Sequence, residues 1–174
     1  MLGNLIRRLC GALQRNIILV GLFYALILGA ILYPITPHRT KSRATTCFSN
    51  VKQAALGLWM YSHDYDDHFP RATECMDSTY PYVKDKSVYR CPQNHSTRPT
   101  DFGYAFNASL SLKSLDNYKT PEKVVMLYDA NDLRWNANAP GRTGVANPSR
   151  HQGADFFGFA DGHAQSQSPV VQNE

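Results

Sequence analysis

The hydrophobic pattern divides the chain into three stretches of different character. Residues 17–35 read IILVGLFYALILGAILYPI, nineteen positions without a charge. At 1.5 Å per residue this covers roughly 28 Å, the hydrocarbon thickness of a bilayer, and predicts one retained transmembrane helix. Its apolar run is longer than the ~7–15 residues of a cleavable signal, and no small-x-small cleavage site follows it. Pro34 and Pro37 predict a kink at its end. From residue 36 to 69 the period changes. Ala44, Phe48, Val51, Ala55, Leu58 and Ser62 recur at steps of three and four, with Cys47, Ala54 and Trp59 widening the stripe. That spacing predicts an amphipathic helix with one buried side, stopped by Pro70.

Beyond residue 70 the pattern is that of a small mixed domain, 70–167, followed by a polar tail, 168–174. Pro81–Lys86 predicts a helical turn, and Ser87–Cys91 a short strand. KVVMLY (Lys123–Tyr128) predicts a central strand. DFFGFA (Asp155–Ala160) followed by Asp161-Gly162 predicts a hairpin whose two turn residues both take positive φ. The stretch Asn131–Asn147 reads as loop. The fold class expected is α+β: a long N-terminal helix, its first half in the membrane, packed on the single apolar face of a small antiparallel sheet.

Charge sharpens this division. The 174 residues carry a net charge of +4, but unevenly. Residues 1–63 hold seven Lys and Arg and no acid, whereas residues 64–174 hold eleven basic and fourteen acidic side chains. A basic segment at 1–16, an apolar span and a mildly acidic domain do not form the even basic face of a nucleic-acid binder. Arg7, Arg8 and Arg15 precede the span and Arg39, Lys41 and Arg43 follow it, so charge alone leaves the topology tied. The three later cysteines favour an oxidising compartment for the C-terminal domain. They allow one bridge, Cys75–Cys91 or Cys47–Cys91, and spacing does not choose between them.

Two clusters have ligand chemistry. His63-Asp64-Tyr65-Asp66-Asp67-His68 is oxygen-rich and suits calcium, with Asp64, Asp66 and Asp67 as the carboxylates, although the glycine and terminal glutamate of a calcium loop are missing. His151, Asp161 and His163 form a second set, with zinc as the metal such ligands take. The plain reading of both is structural: a solvated helix end, and a turn whose loop His151 hydrogen-bonds. No Gly-x-Ser-x-Gly, His-Glu-x-x-His or phosphate loop is present, so no enzymatic activity and no resident cofactor are expected.

Several segments, taken in order, resemble the type IV pilin-like pseudopilins of bacteria. They are AILYP, Arg43-Ala-Thr-Thr-Cys-Phe-Ser-Asn-Val-Lys-Gln, Tyr61-Ser-His-Asp-Tyr-Asp-Asp-His-Phe-Pro, Tyr80-Pro-Tyr-Val-Lys, Val88-Tyr-Arg-Cys-Pro and Asp101-Phe-Gly-Tyr-Ala-Phe-Asn. His151, nine residues, then Asp161-Gly162 is similar to the C-terminal signature of one prepilin-type group. The resemblance implies a non-enzymatic assembly protein of the inner membrane, single-pass, with a periplasmic domain. Its partners would be membrane lipids and other pilin-like subunits of a type II secretion or type IV pilus-like system. It also implies processing at Gly11-Ala12. The family's glutamate near the start of the apolar run has no counterpart, since Asn16 and Ile17 stand there and no acid precedes Asp64. The alternative is a membrane-tethered binding module that presents the loop Asp129–Asn147, with Trp135, to a ligand.

Overall fold

In a computed structural model the described residues are 2–32, 35–94, 96 and 98–168, with side chains in the N-terminal part described for Gln14, for 16–31 and from Ser42 onward. The chain divides into two units, Met1–Ser42 and Arg43–Glu174.

The first unit holds helix α1, Leu2–Leu32, and the start of helix α2, Ile35–Asp64. Every side chain from Asn16 to Ile31 is exposed, the large aliphatic ones included. Among the described residues no helix is long and apolar enough to cross a membrane. The side chains of the expected 17–35 span are described only as far as Ile31, so the rest of that stretch lies outside the described residues. So does Pro34, one of the two prolines at which the kink is expected. Pro37 falls in the first turn of α2, where its missing N–H breaks no helical hydrogen bond. Gly11 and Ala12 lie within α1, and their side chains are also outside the described set.

The second unit is α+β. From Arg43 onward α2 buries Cys47, Val51, Ala54, Ala55, Leu58 and Ser62, the stripe its three- and four-residue spacing predicts. The helix ends at Asp64, short of Pro70. Asp66 and Asp67 adopt left-handed backbone angles (φ 50° and 55°) and turn the chain, a conformation that Asp tolerates better than most residues. Phe69 N–H then donates to the Lys113 carbonyl, which ties the turn to the domain.

Helix α3 runs Cys75–Val83. This is longer than the expected turn at Pro81–Lys86, because Asn136 caps it from a distant loop. Its Oδ1 accepts from the Met76 and Asp77 N–H groups at 2.7 and 3.3 Å. Lys86–Tyr89 is a 3-10 turn and not the expected strand. Asp85 accepts from the Ser87 N–H and sets the turn before the β-prone Val88 and Tyr89 can extend.

Five strands form one sheet: β1 Tyr104–Asn107, β2 Val125–Asp129, β3 Asn138–Ala139, β4 Asp155–Phe159 and β5 Ala164–Gln167. Their order is β3-β1-β2-β4-β5. The pairs β1–β2, β2–β4 and β4–β5 are antiparallel, as expected. The two-residue β3 lies parallel to β1, so the sheet is mixed. Between β4 and β5 only Gly162 has positive φ (86°), and Asp161 does not. Gly162 N–H donates to Phe159 and Phe159 N–H to His163, the geometry of a three-residue loop with a left-handed glycine rather than the two-residue turn expected.

The strands β1, β2 and β4 are buried on both faces, against the expectation of one, while β5 is partly exposed. Tyr104, Phe106, Met126 and Phe156 join the α2 stripe in the larger core. Ala105, Tyr128, Phe157 and Phe159 form a second cluster with Ala130, Ala137 and Val145. The supposed loop covers that second face. Tyr128 OH donates to the Ala139 carbonyl, and the Arg142 guanidinium lies 4.7 Å from the Phe157 ring centre. On the first face Gly158 permits close approach of the helix, since a Cβ there would stand 2.7 Å from Ala55 Cβ.

Candidate functional site

The most chemically active group of side chains lies under α2, where four segments of the second unit converge. Cys47 comes from the buried stripe of α2. Cys91 follows the 3-10 turn and is held in place by the extended backbone before Pro92. Asp129 ends β2, and His151 sits in the loop that enters β4. All four are buried, Cys47, Cys91 and Asp129 completely.

The contacts form a bent chain, with the Cys47 and Cys91 sulfurs and a His151 ring nitrogen all within 4.8 Å of one another. Cys47 Sγ is 2.7 Å from Cys91 Sγ. Cys91 Sγ is 3.6 Å from His151 Nε2. That same nitrogen is 3.1 Å from Asp129 Oδ2. The opposite ring nitrogen, Nδ1, donates to Gln93 Oε1. Asp129 Oδ2 also accepts from the Phe156 N–H at 2.8 Å. The imidazole stacks on the Phe156 ring at 4.2 Å, and Tyr104 OH donates to the Cys47 carbonyl. Asp129 Oδ1 and Asp155 Oδ1 are buried and make no hydrogen bond. Three free cysteines are described, and the third, Cys75, opens α3 within the larger core.

Electrostatics orders the protons along this chain of contacts. Burial pulls the His151 pKa down, but the hydrogen bonds to Asp129 and Cys91 outweigh it and push the pKa up to about 9. The hydrogen bond from Cys47, helped by His151, brings the Cys91 thiol down to about 5 against the opposing effect of burial. The same contact with Cys91, together with burial, raises Cys47 well above the ordinary thiol range. The two sulfurs thus lie where one proton can be shared between them, and His151 beside Cys91 favours the thiolate on that side. Burial raises the Asp155 carboxyl, with only partial relief from Ser149.

A thiol beside an imidazole is an element of covalent catalysis, but Cys91 and Asp129 both meet Nε2, so the carboxylate does not orient the ring from the opposite nitrogen as a relay requires. Here they are enclosed, and the sulfur beside Cys91 is that of Cys47. The group also offers a thiol–thiol–imidazole donor set: among the described residues, Cys47, Cys91 and His151 are the one grouping of three or more such ligands.

The residues singled out from sequence scatter around this centre. His151 is in it, whereas Asp161 and Gly162 are at the β4–β5 turn. Asp161 Oδ1 accepts from His163 there, and Gly162 faces Trp59 of α2. Asp64 accepts from Tyr82 OH at 2.8 Å. His63 lies 3.9 Å from Asp67, and His68 Nδ1 bonds the Asp66 carbonyl. Asp64, Asp66 and Asp67 thus have protein partners or exposed positions and are not gathered as a ligand set among the described residues. Of the two disulfide pairings, the geometry juxtaposes Cys47 with Cys91. Sequence reasoning missed Asp129 and Gln93. The one available signal for Asp129 was an acid closing the otherwise apolar run of β2.

A second concave feature is an open cleft of about 820 Å³ lined by Lys86, Arg98, Phe102, Asp132, Arg134 and Trp135 among others. Its charges are mostly paired. Arg98 bonds Asp101 at 3.0 Å and Arg134 bonds Asp132 at 2.6 Å. Trp135 Nε1 donates to Asp77, and its ring meets Tyr89 and Phe102 edge-on. Comparison of the chain with protein-family models, with curated proteins and with solved structures gives no match.

Proposed function

We propose that the chain is a non-enzymatic, pseudopilin-like assembly protein of the bacterial inner membrane. Residues 17–35 anchor it, and the α+β unit stands on the extracytoplasmic side. The observation that carries this reading is the division of labour along the helical part of the chain. From Cys47 to Ser62 the helix buries one stripe against the sheet, while from Asn16 to Ile31 aliphatic side chains lie open on every side. A helix apolar all round is suited to lipid and to neighbouring helices, and one apolar on a single stripe is suited to a sheet. The enclosed thiol–histidine group agrees with a structural role, because it offers a diffusing substrate no surface.

The experiment is chemical cross-linking in native membranes with the intact mass measured in parallel. A ladder of subunits, with loss of residues 1–11, is the expected result. A full-length monomer would sink the assembly reading and favour the second one, a membrane-tethered binding module. The cleft beside the 131–135 segment favours that second reading. The pairing of its arginines and the packing of Trp135 count against it, since few polar groups are left there to receive a ligand.

A further inference from the structure

We infer that Cys47 and Cys91 are a dithiol–disulfide pair that latches α2 to the sheet, with Cys91 as the attacking sulfur and the His151–Asp129 pair positioning it. The inference does not depend on whether the chain enters an assembly. The two cysteines are 44 positions apart, on two elements that must dock for the larger core to close, and their sulfurs meet at 2.7 Å. Cys75, the third described cysteine, lies elsewhere in that core.

A metal is the competing use of the same atoms, and the geometry argues against it. Two thiolates that share a zinc ion at ~2.3 Å each stand about 3.8 Å apart. The observed separation is nearer a covalent S–S bond of ~2.05 Å. Charge points the same way. Cross-linking removes the thiolate and leaves His151 and Asp129 as a neutralised ion pair, with Nδ1–H satisfied by Gln93. The titratable groups around the latch are Cys47 from α2, Tyr104 from β1, Asp129 from β2, Asp155 from β4, and Arg150 beside His151.

The oxidant is a disulfide donor, R–S–S–R. Cys91, His151, Asp129 and Gln93 all lie in the part of the chain that α2 covers, so the donor reaches Cys91 when α2 is displaced. The Cys91 thiolate attacks one donor sulfur, forms the mixed disulfide and releases RS⁻. When α2 docks, Cys47 attacks the Cys91 sulfur of that mixed disulfide and expels the second RS⁻. The Cys47 thiol proton ends on one leaving thiolate, and the other leaves as RS⁻ with the charge that Cys91 brought. The cysteines lose two electrons and the donor gains them.

The test uses the purified full-length chain, reduced and then exposed to oxidised glutathione, with alkylation and peptide mapping. The expected product is a Cys47–Cys91 linkage with Cys75 still free to alkylate after denaturation. Pairing that involves Cys75 or Cys10, no linkage in excess glutathione disulfide, or one zinc per chain that protects both thiols would each overturn the latch. The role of His151 is read from the closure rate against pH. In the wild type the rate changes less from pH 6 to 8 than that of a free thiol, because the His151 imidazolium beside Cys91 favours its thiolate even while α2 is displaced. In His151→Gln it is several-fold lower at pH 6 and climbs with pH. Identical profiles would reduce His151 to a packing residue. A wild-type rate that rises tenfold per pH unit would do the same without reliance on the variant's folding.

Discussion

The two faces of the inner strands are both buried but are covered in different ways. One lies under the regular stripe of α2, where Val51, Ala55 and Leu58 meet Phe156, Phe106 and Met126. The other lies under irregular chain, where Ala137, Val145 and the Arg142 guanidinium close over Tyr128, Phe157 and Phe159. A helix covers a sheet with a repeating set of contacts and satisfies its own backbone. A loop covers one only if its backbone groups find partners individually, as Tyr128 OH does at the Ala139 carbonyl and β3 does by pairing with β1. The first cover is cooperative and the second is assembled contact by contact. Damage to each should therefore read differently.

The largest effect is expected on the helix face. Val51→Asp places a carboxylate at a fully buried position. The cost of burying an unpaired charge is comparable with the roughly 5–15 kcal/mol total stability of a small domain. Loss of any cooperative thermal transition in the second unit is the predicted result, and a retained transition near the wild-type temperature would refute this account of the packing. On the loop face, Phe157→Ala should cost about 3–5 kcal/mol, the usual range for a buried aromatic, and leave a cooperative transition at lower temperature. Chemical denaturation measures both. Equal losses from the two substitutions would erase the distinction between the covers.

The same contrast explains what could be read from the amino-acid pattern. The α2 stripe was legible because helical periodicity needs only neighbouring residues, and Asp161-Gly162 marked the β4–β5 connection for the same reason. The second face was not legible. β2 and β4 are buried on both sides, so their side chains show no alternation between apolar and polar, and their cover has no period at all. β1 was hidden likewise, four buried residues without a flanking repeat. The site was half visible. His151 stood out as a lone histidine at a fixed distance from Asp-Gly, and Cys47 and Cys91 were one of two pairings. What joins them is the docking of α2, which is a tertiary event. Asp129 carried only the oddity of an acid at the end of an apolar strand.

His151 sharpens the comparison, because its ring stacks on Phe156 and so belongs to the helix face. Replacement by Gln leaves Asp129 buried without its cation, a change that costs about 3–5 kcal/mol when a buried pair is broken. The sign of its pH dependence follows from the raised pKa. The charged form is favoured in the folded chain, so its stabilisation is complete below the unfolded value of ~6.5 and is lost as pH climbs through about 9. The stability gap between wild type and His151→Gln, followed by thermal melts, should therefore narrow across that window. A gap that widens with pH would mean the imidazole is buried neutral.

The smallest effect belongs to Asn136, where irregular chain does the work of a local cap. Its Oδ1 accepts two N–H groups at the start of α3, and its Nδ2 donates to Asp77 on the same helix. Trp135 next to it donates to the other Asp77 oxygen, so the loop grips α3 with two adjacent side chains. Asn136 also has positive φ (57°), a conformation Asn accepts more readily than Ala. Asn136→Ala removes the cap and strains the backbone together, at a cost of about 1–2 kcal/mol. Asn136→Gly removes the cap but relieves the backbone, and should cost less. Amide hydrogen exchange at Met76 and Asp77 separates the two contributions. Both variants lose protection there if the capping bond is what holds the helix start, and only the alanine variant loses it if backbone strain dominates.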